Sequence, residues 1–230
     1  KAPGRIVFTG SQRSSDRGSS DAGENLLAAV YWAANGPNNT GEMGDSSVIV
    51  MHADSSDGKC VVLPGVNSRK NHSTKRNAFQ TINTEPLAHI TIEKNDVQIN
   101  LNDKYSSVKN NRNICDNPSS YDSNIKLAQF IAGPHLNADL ITHAGDNGYS
   151  GILFAGTGLG HLPIEDPLND AKENSELFNA IKSYVSNGGI AIMTTQCMNG
   201  PVNMDVYSKG RDQQDIGIIG QQTTSTIETA

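Results

Sequence analysis

The sequence predicts an α/β protein of two lobes, each built on a parallel sheet, with the N-terminal lobe incomplete. Three observations carry that expectation. Short, wholly apolar runs recur along the chain: RIVF at 5–8, VIVM at 48–51, CVVL at 60–63, GILFAG at 151–156 and IAIMTT at 190–195. Strands that are apolar on both faces belong in sheets covered on both sides, and such sheets are mostly parallel. Between these runs lie stretches with apolar residues at helical spacing, and strand–helix alternation marks α/β layering. Residues 102–124, NDKYSSVKNNRNICDNPSSYDSN, hold almost nothing that could fill a core, so they read as a long loop that divides the chain.

Taken in order, RIVF is a first short strand, followed by the polar loop GSQRSSDRGSS. Asp21 and Glu24 fit the start of a helix in the manner of a capping box. Leu26, Leu27, Val30 and Tyr31 share one face of that helix, and Gly36-Pro37 stops it. VIVM is then a buried central strand, and CVVL follows the turn residues SSDG. AHITIEKNDVQINL at 88–101 alternates on either side of KND, which predicts a hairpin. Beyond the polar loop, KLAQFIA (126–132) resumes the alternation, followed by a short helix from Ala138 to Asp146 and the strand GILFAG. A helix over 174–186 gathers Leu177, Phe178, Ile181, Tyr184 and Val185 on one face and ends at SNGG before IAIMTT. There is no internal repeat. The expected domains are an α/β lobe at residues 1–101, a polar linker at 102–125, and a second α/β lobe at 126–230.

Composition narrows the class of function. The 230 residues are 36% hydrophobic with a net charge of −6, and the mean hydropathy is −0.45. This mild acidity argues against a nucleic-acid grip in the chain itself. No apolar run approaches the roughly 18 residues of a membrane-spanning helix. KAPGRIVFTG lacks both an h-region and an Arg/Ser-rich amphipathic stretch. Cys60, Cys115 and Cys197 are far apart with no CxxC, a pattern expected of reduced thiols in the cytoplasm. Cys197, just past a buried strand, is expected to be a core thiol. The six histidines show neither HxxxH nor HExxH spacing, so no metal site is expected.

Ligands of open α/β sheets sit at the carboxyl ends of strands, and three segments follow such ends. The first is GSQRSSDRGSSD. The second is the loop after CVVL, where Lys70 stands among Arg69, Asn71, His72, Ser73, Thr74, Lys75 and Arg76. That loop reads either as a solvated basic surface or as a lysine whose like-charged neighbours lower its pKa and make it a proton acceptor. The third is GTGLGH, whose Gly156, Gly158 and Gly160 are spaced two apart and do not form GxGxxG. Taken alone it reads as a flexible loop.

VFTGSQRSSDRGSSDAGENLLAAV, RKNHSTKRNAF, GYSGILFAGTGLGHLP and TTQCMNGPVNMDVYSKGR together resemble the asparaginase-type amidohydrolase family. Within that family they are most similar to the branch formed by the D subunits of archaeal glutamyl-tRNA(Gln) amidotransferases. The resemblance implies a larger N-terminal and a smaller C-terminal α/β domain, and homodimers with the site at a subunit interface. It implies hydrolysis of the side-chain amide of glutamine or asparagine by a threonine nucleophile, with a second Thr, an Asp and a Lys managing protons. It further implies a partner E subunit that receives the ammonia, binds ATP and Mg²⁺ and carries the main tRNA contacts, leaving no cofactor in this chain. Carried over by position, Lys70 in RKNHSTKR is the catalytic lysine. Gly10 and Ser11 line the substrate pocket, and His161 in GTGLGH reaches the neighbouring subunit's site.

The departures are as informative. No TGGTI-type or GTDT-type motif, the family's seats for its two threonines and aspartate, occurs in these residues. Ala155 stands where an acidic residue usually precedes GTGLGH. The chain opens in a core strand and closes on TSTIETA, the start of a helix, so both ends are expected to be cut and the chain alone to be inactive. The alternatives are a free-standing L-asparaginase and a binding or scaffold protein that has kept the fold without catalysis.

Overall fold

The computed structural model describes residues 6–37, 47–94, 96–103, 105, 120 and 122–220. Most of the polar linker and the closing TSTIETA lie outside these residues. The chain forms two compact units, residues 1–119 and 120–230.

In the first unit, β1 (Ile6–Phe8), β2 (Ser47–His52), β3 (Lys59–Pro64), β6 (Ala88–Glu93) and β7 (Asp96–Leu101) form one sheet in the order β1-β2-β3-β6-β7. Only β1 and β2 pair in parallel; β2–β3, β3–β6 and β6–β7 are antiparallel. The α/β class stands, but this sheet is mixed. The reason lies in connection length. Residues 53–58 between β2 and β3 are too few for a crossover, which needs a dozen or more, so two fully apolar strands pair as a hairpin. Between β3 and β6, β4 (Ser68–Lys70) and β5 (Phe79–Thr81) make a separate two-stranded ribbon, with Lys70 opposite Phe79.

Helix α1 (Ala22–Asn35) corrects the expected face. Asn25, Ala28, Ala29 and Trp32 are buried, whereas Leu26, Leu27 and Val30 are 59%, 45% and 59% exposed. The buried set also has i, i+3, i+4, i+7 spacing. Its two alanines admit the helix close to the sheet, and Trp32 fills the space with Val48, Val50, Val62, Leu87 and Ile90. The capping box is absent too. The Asp21 side chain makes no cap bond; Ser20 Oγ accepts the Ala22 N–H instead.

The second unit carries the parallel sheet that its sequence predicts. The strands β8 (Leu127–Ile131), β9 (Gly151–Gly156), β10 (Ile190–Thr195) and β11 (Ile218–Gly220) lie in the order β11-β10-β9-β8, all parallel. Helices α2 (Ala138–Asp146) and α3 (Lys172–Ser186) pack on each other and on this sheet. Leu177, Ile181 and Tyr184 of α3 are buried, with Phe178 and Val185 packed beside them. Phe154 and Met193, fully enclosed, form the centre of the core. Helix α4 (Ser208–Asp215) precedes β11.

Candidate functional site

In the first unit the candidate substrate loop leaves the carboxyl end of β1. Thr9 Oγ1 donates to the Val50 carbonyl at 2.8 Å, which ties the loop's root to β2. Gly10 and Ser11 follow, both exposed. The loop then turns around the buried Asp21 carboxylate. That group accepts the N–H groups of Gln12 (3.0 Å) and Arg13 (3.0 Å) and the Asn25 Nδ2 at 2.9 Å. Burial by itself would raise the Asp21 pKa, but these donors outweigh it and hold the carboxyl below its ordinary value. Asn25 also donates to the Gly10 carbonyl at 2.8 Å. Asp21 and Asn25, one turn apart on α1, thus fix residues 10–13 from beneath.

Lys70 is exposed, with its Nζ 6.0 Å from the Phe79 ring centroid across the β4–β5 ribbon. The turn that follows is built by His72, whose Nδ1 accepts the Thr74 and Lys75 N–H groups, both at 3.1 Å. Arg76 does not belong to a solvated basic surface: it is 8% exposed. Its guanidinium pairs with the Asp57 carboxylate and donates to the carbonyls of Ser19, Ser20 and Ser55. One side chain therefore ties the Lys70 loop to the loop that follows β1 and to the β2–β3 turn. Arg76 holds the Asp57 carboxyl below its usual value, by hydrogen bond first and charge second. A cleft of about 510 Å³ opens beside this junction, lined by Gln12, Arg13, Ser14, Arg17, Ser19 and Thr74.

In the second unit, the glycine segment is a locked turn and not a flexible loop. Thr157 and His161 bridge, with the N–H groups of Gly160 and His161 both 3.0 Å from the Thr157 carbonyl. Gly160 has φ +103°, and a Cβ there would lie 2.8 Å from Met193 Cγ and 2.9 Å from Val202 Cγ1, so glycine serves both backbone and packing. Gln213, buried on α4, clamps the turn by accepting the Leu162 N–H at 2.7 Å and donating to the Gly160 carbonyl at 2.8 Å. Thr195 Oγ1 donates to the Gly158 carbonyl at 2.6 Å, and Gln196 Nε2 to the carbonyls of Ala132 and Ala155. Ala155 is buried in β9. The His161 ring lies edge-on to Tyr207 at 5.5 Å, its Nε2 buried without a hydrogen-bond partner.

The cysteine expectation is reversed at one position. Cys197 is exposed and Cys60 is buried, and Cys115 lies outside the described residues. Burial first, then the Glu24 and Asp21 carboxylates, push the Cys60 thiol up to about 12.

Two family patterns match the chain. The one described as "Asparaginase, N-terminal" covers residues 1–105, and that of the "Glutaminase/Asparaginase C-terminal domain" covers residues 126–229. The chain belongs to the asparaginase family. Among curated members of the family, the D subunit of glutamyl-tRNA(Gln) amidotransferase from Sulfolobus acidocaldarius is 38% identical over 219 residues, 95% of this chain and 44% of the relative. The protein of the same name from Saccharolobus solfataricus is 40% identical over 216 residues, 94% of this chain and 44% of its own length. This asparaginase-family chain therefore spans less than half the length of these relatives. A solved structure, "The thermostable L-asparaginase from Thermococcus kodakarensis", shares the fold with a TM-score of 0.70. That match is 22% identical and covers 98% of this chain and 58% of that one.

Sequence reasoning named Gly10, Ser11, Lys70 and His161 but missed the residues that hold them. Asp21 and Asn25 at i, i+4 were the available signal, since a polar pair inside an alanine face has no reason to be there unless it is bonded. Gln196 and Gln213 carry no local signature.

Proposed function

We propose that this chain is part of the ammonia-producing component of an archaeal-type glutamyl-tRNA(Gln) amidotransferase. The observation that carries the reading is the agreement of the similarity in name and extent: relatives named as the D subunit of that enzyme match at 37–40% identity across 94–95% of the chain. In this reading a threonine from a segment absent from these 230 residues attacks the side-chain amide carbon of glutamine. The C–N bond breaks, ammonia leaves, and water then releases glutamate from the acyl-enzyme. Lys70 moves protons to and from the attacking and leaving groups. The backbone at Gly10 and Ser11 forms the floor under the amide substrate, held by Asp21 and Asn25 beneath it. His161 reaches the site of a second copy in a homodimer. A partner E subunit takes the ammonia, binds ATP and Mg²⁺, and holds the tRNA; the work is cytoplasmic. Among the described residues no helix is long and apolar enough to cross a membrane.

A free-standing L-asparaginase is the second reading, favoured by the TM-score of 0.70 to such an enzyme. A chimera carrying the threonine-bearing segment of the Sulfolobus acidocaldarius relative ahead of residue 1 separates the two. The amidotransferase reading expects glutamine to be preferred and turnover to rise with an archaeal E subunit present. It also expects Lys70→Arg and Lys70→Met each to lose about 10²-fold or more, because arginine does not release a proton near neutrality. The 230-residue chain alone should release no ammonia. Preference for asparagine with no response to the E subunit overturns the first reading; a fully active Lys70→Arg overturns the proton role.

A further inference from the structure

Beneath the Arg76 junction, α1, β2 and the β2–β3 turn bring three potential ligands together. Glu24, His52 and Asp57 each place a donor atom within 4.8 Å of the others. His52 is fully buried. Its ring is oriented by Asn25, whose Oδ1 lies 2.7 Å from Nδ1. Asn25 is itself fixed, because its Nδ2 faces two acceptors, the Gly10 carbonyl and the Asp21 carboxylate. Its Oδ1 can only accept, so the His52 Nδ1 carries the hydrogen. In the neutral ring this leaves a lone pair on Nε2.

That nitrogen has no hydrogen-bond partner, although Glu24 Oε2 is only 3.0 Å away. The pair is close without the alignment of an N–H···O bond. A buried imidazole with one nitrogen tied to an oriented amide and the other aimed at carboxylates is the arrangement that metal-ligating histidines show. The spacing fits as well. Nitrogen and oxygen 3.0 Å apart, each about 2.1 Å from a shared ion, subtend roughly 90° there, an angle that suits a five- or six-coordinate ion with several water ligands and not a closed tetrahedral one. Glu24 is also held in place, since Oε2 accepts the Gly58 N–H at 2.8 Å. The Arg76 hydrogen bond occupies Asp57 Oδ1 and leaves its other oxygen available. On the solvent side, the Glu24 and Asp57 side chains are 31% and 76% exposed, which leaves an entry path and room for water ligands.

We propose that Glu24, His52 and Asp57 form a binding site for a divalent first-row transition cation of the zinc class. One imidazole and two carboxylates, with waters completing an open coordination sphere, suit Zn²⁺ or Co²⁺ better than Mg²⁺ or Ca²⁺, which take oxygen ligands. No short motif announces it, because the ligands stand at 24, 52 and 57 on three different elements. The ion would staple α1 to β2 and to the turn whose Asp57 holds Arg76, and so brace the loop after Lys70. This role depends on residues of this chain only and stands apart from the amidotransferase reading.

The test titrates ZnCl₂, and CoCl₂ as a spectroscopic probe, into the 230-residue chain carrying Cys197→Ser, with the exposed thiol removed from the background. Expected are one equivalent bound, visible d–d absorption with Co²⁺, and amide-exchange protection of α1 and β2 raised by Zn²⁺ and returned to the metal-free level by a chelator. Glu24→Gln and Asp57→Asn should each weaken binding tenfold or more while the circular dichroism spectrum stays native. His52→Gln should abolish binding, but because that residue is fully buried, the two carboxylate variants decide the matter if it fails to fold. No stoichiometric binding by the parent chain, or binding unchanged in both carboxylate variants, overturns the site.

Discussion

Asp21→Ala tests the claim that the loop after β1 is held from below by one carboxylate. The substitution strands three donors, the Gln12 and Arg13 N–H groups and the Asn25 amide, around a side chain with no exposed surface. Hydrogen bonds to a charged acceptor contribute about 1.5–3 kcal/mol each. The three share one acceptor and do not add independently, and water reaches the two backbone groups once the carboxylate is gone. The expected cost is therefore about 3–5 kcal/mol. Asp21→Asn keeps one acceptor oxygen but sets its amide against that of Asn25, and should fall between wild type and alanine. Because the chain has two units, a single global melt is a poor readout, so the assay is site-resolved amide exchange. In Asp21→Ala the Gln12 and Arg13 amides should exchange at nearly unprotected rates while β9 and β10 keep their protection. Acid gives an independent check. The folded pKa of Asp21 lies below the ordinary carboxyl value of 3.8, so its contribution is complete above that value and lost as pH falls through the lower folded one. Protection at Gln12 and Arg13 should drop in that acid range in the parent chain and be flat there in Asp21→Ala. Full protection of both amides in the alanine variant would falsify the anchoring argument.

Two further outcomes follow from burial. On α1, Leu26→Lys and Leu27→Lys should change stability by no more than about 0.5 kcal/mol, whereas Trp32→Ala should cost about 3–5 kcal/mol; site-resolved amide exchange in β2 and β3 of the three variants checks the order, and the reverse order would restore the leucine face. Cys60, with its thiol pushed up to about 12, should resist a thiol reagent at pH 8 in the native chain while Cys197 reacts at once, as read by peptide mapping. Rapid native labelling of Cys60 would mean that the β2–β3 hairpin opens far more readily than its packing implies.

The sequence was most legible where apolar residues alone determine burial. GILFAG and IAIMTT read directly as buried strands, and the Leu177–Ile181–Tyr184 face of α3 followed from spacing. It was least legible where small or polar residues do the burying. On α1 the leucines outweighed alanine and asparagine in any hydrophobic count, yet close approach to the sheet favours the small side chains. Helix α4, SKGRDQQD, has no apolar residue, and its buried positions are Gly210 and Gln213. Periodicity cannot see a helix whose inner face is a glycine and an amide. Of the site, the loops were visible as polar segments after strands, but their anchors were not, because Asp21, Arg76 and Gln213 hold loop groups 8 to 57 positions away, beyond the reach of any local pattern.

Gln213 gives chain order a meaning in time. The ribosome makes the Thr157–His161 turn some fifty residues before the side chain that clamps it. Until α4 is made and docked, the Leu162 N–H and the Gly160 carbonyl lack their Gln213 latch, and the glycine segment is held only by the Thr157–His161 bridge and Thr195. A late helix thus supplies the last two bonds of an early loop. Damage to α4 would therefore be felt at the glycine turn without any change in the turn's own sequence.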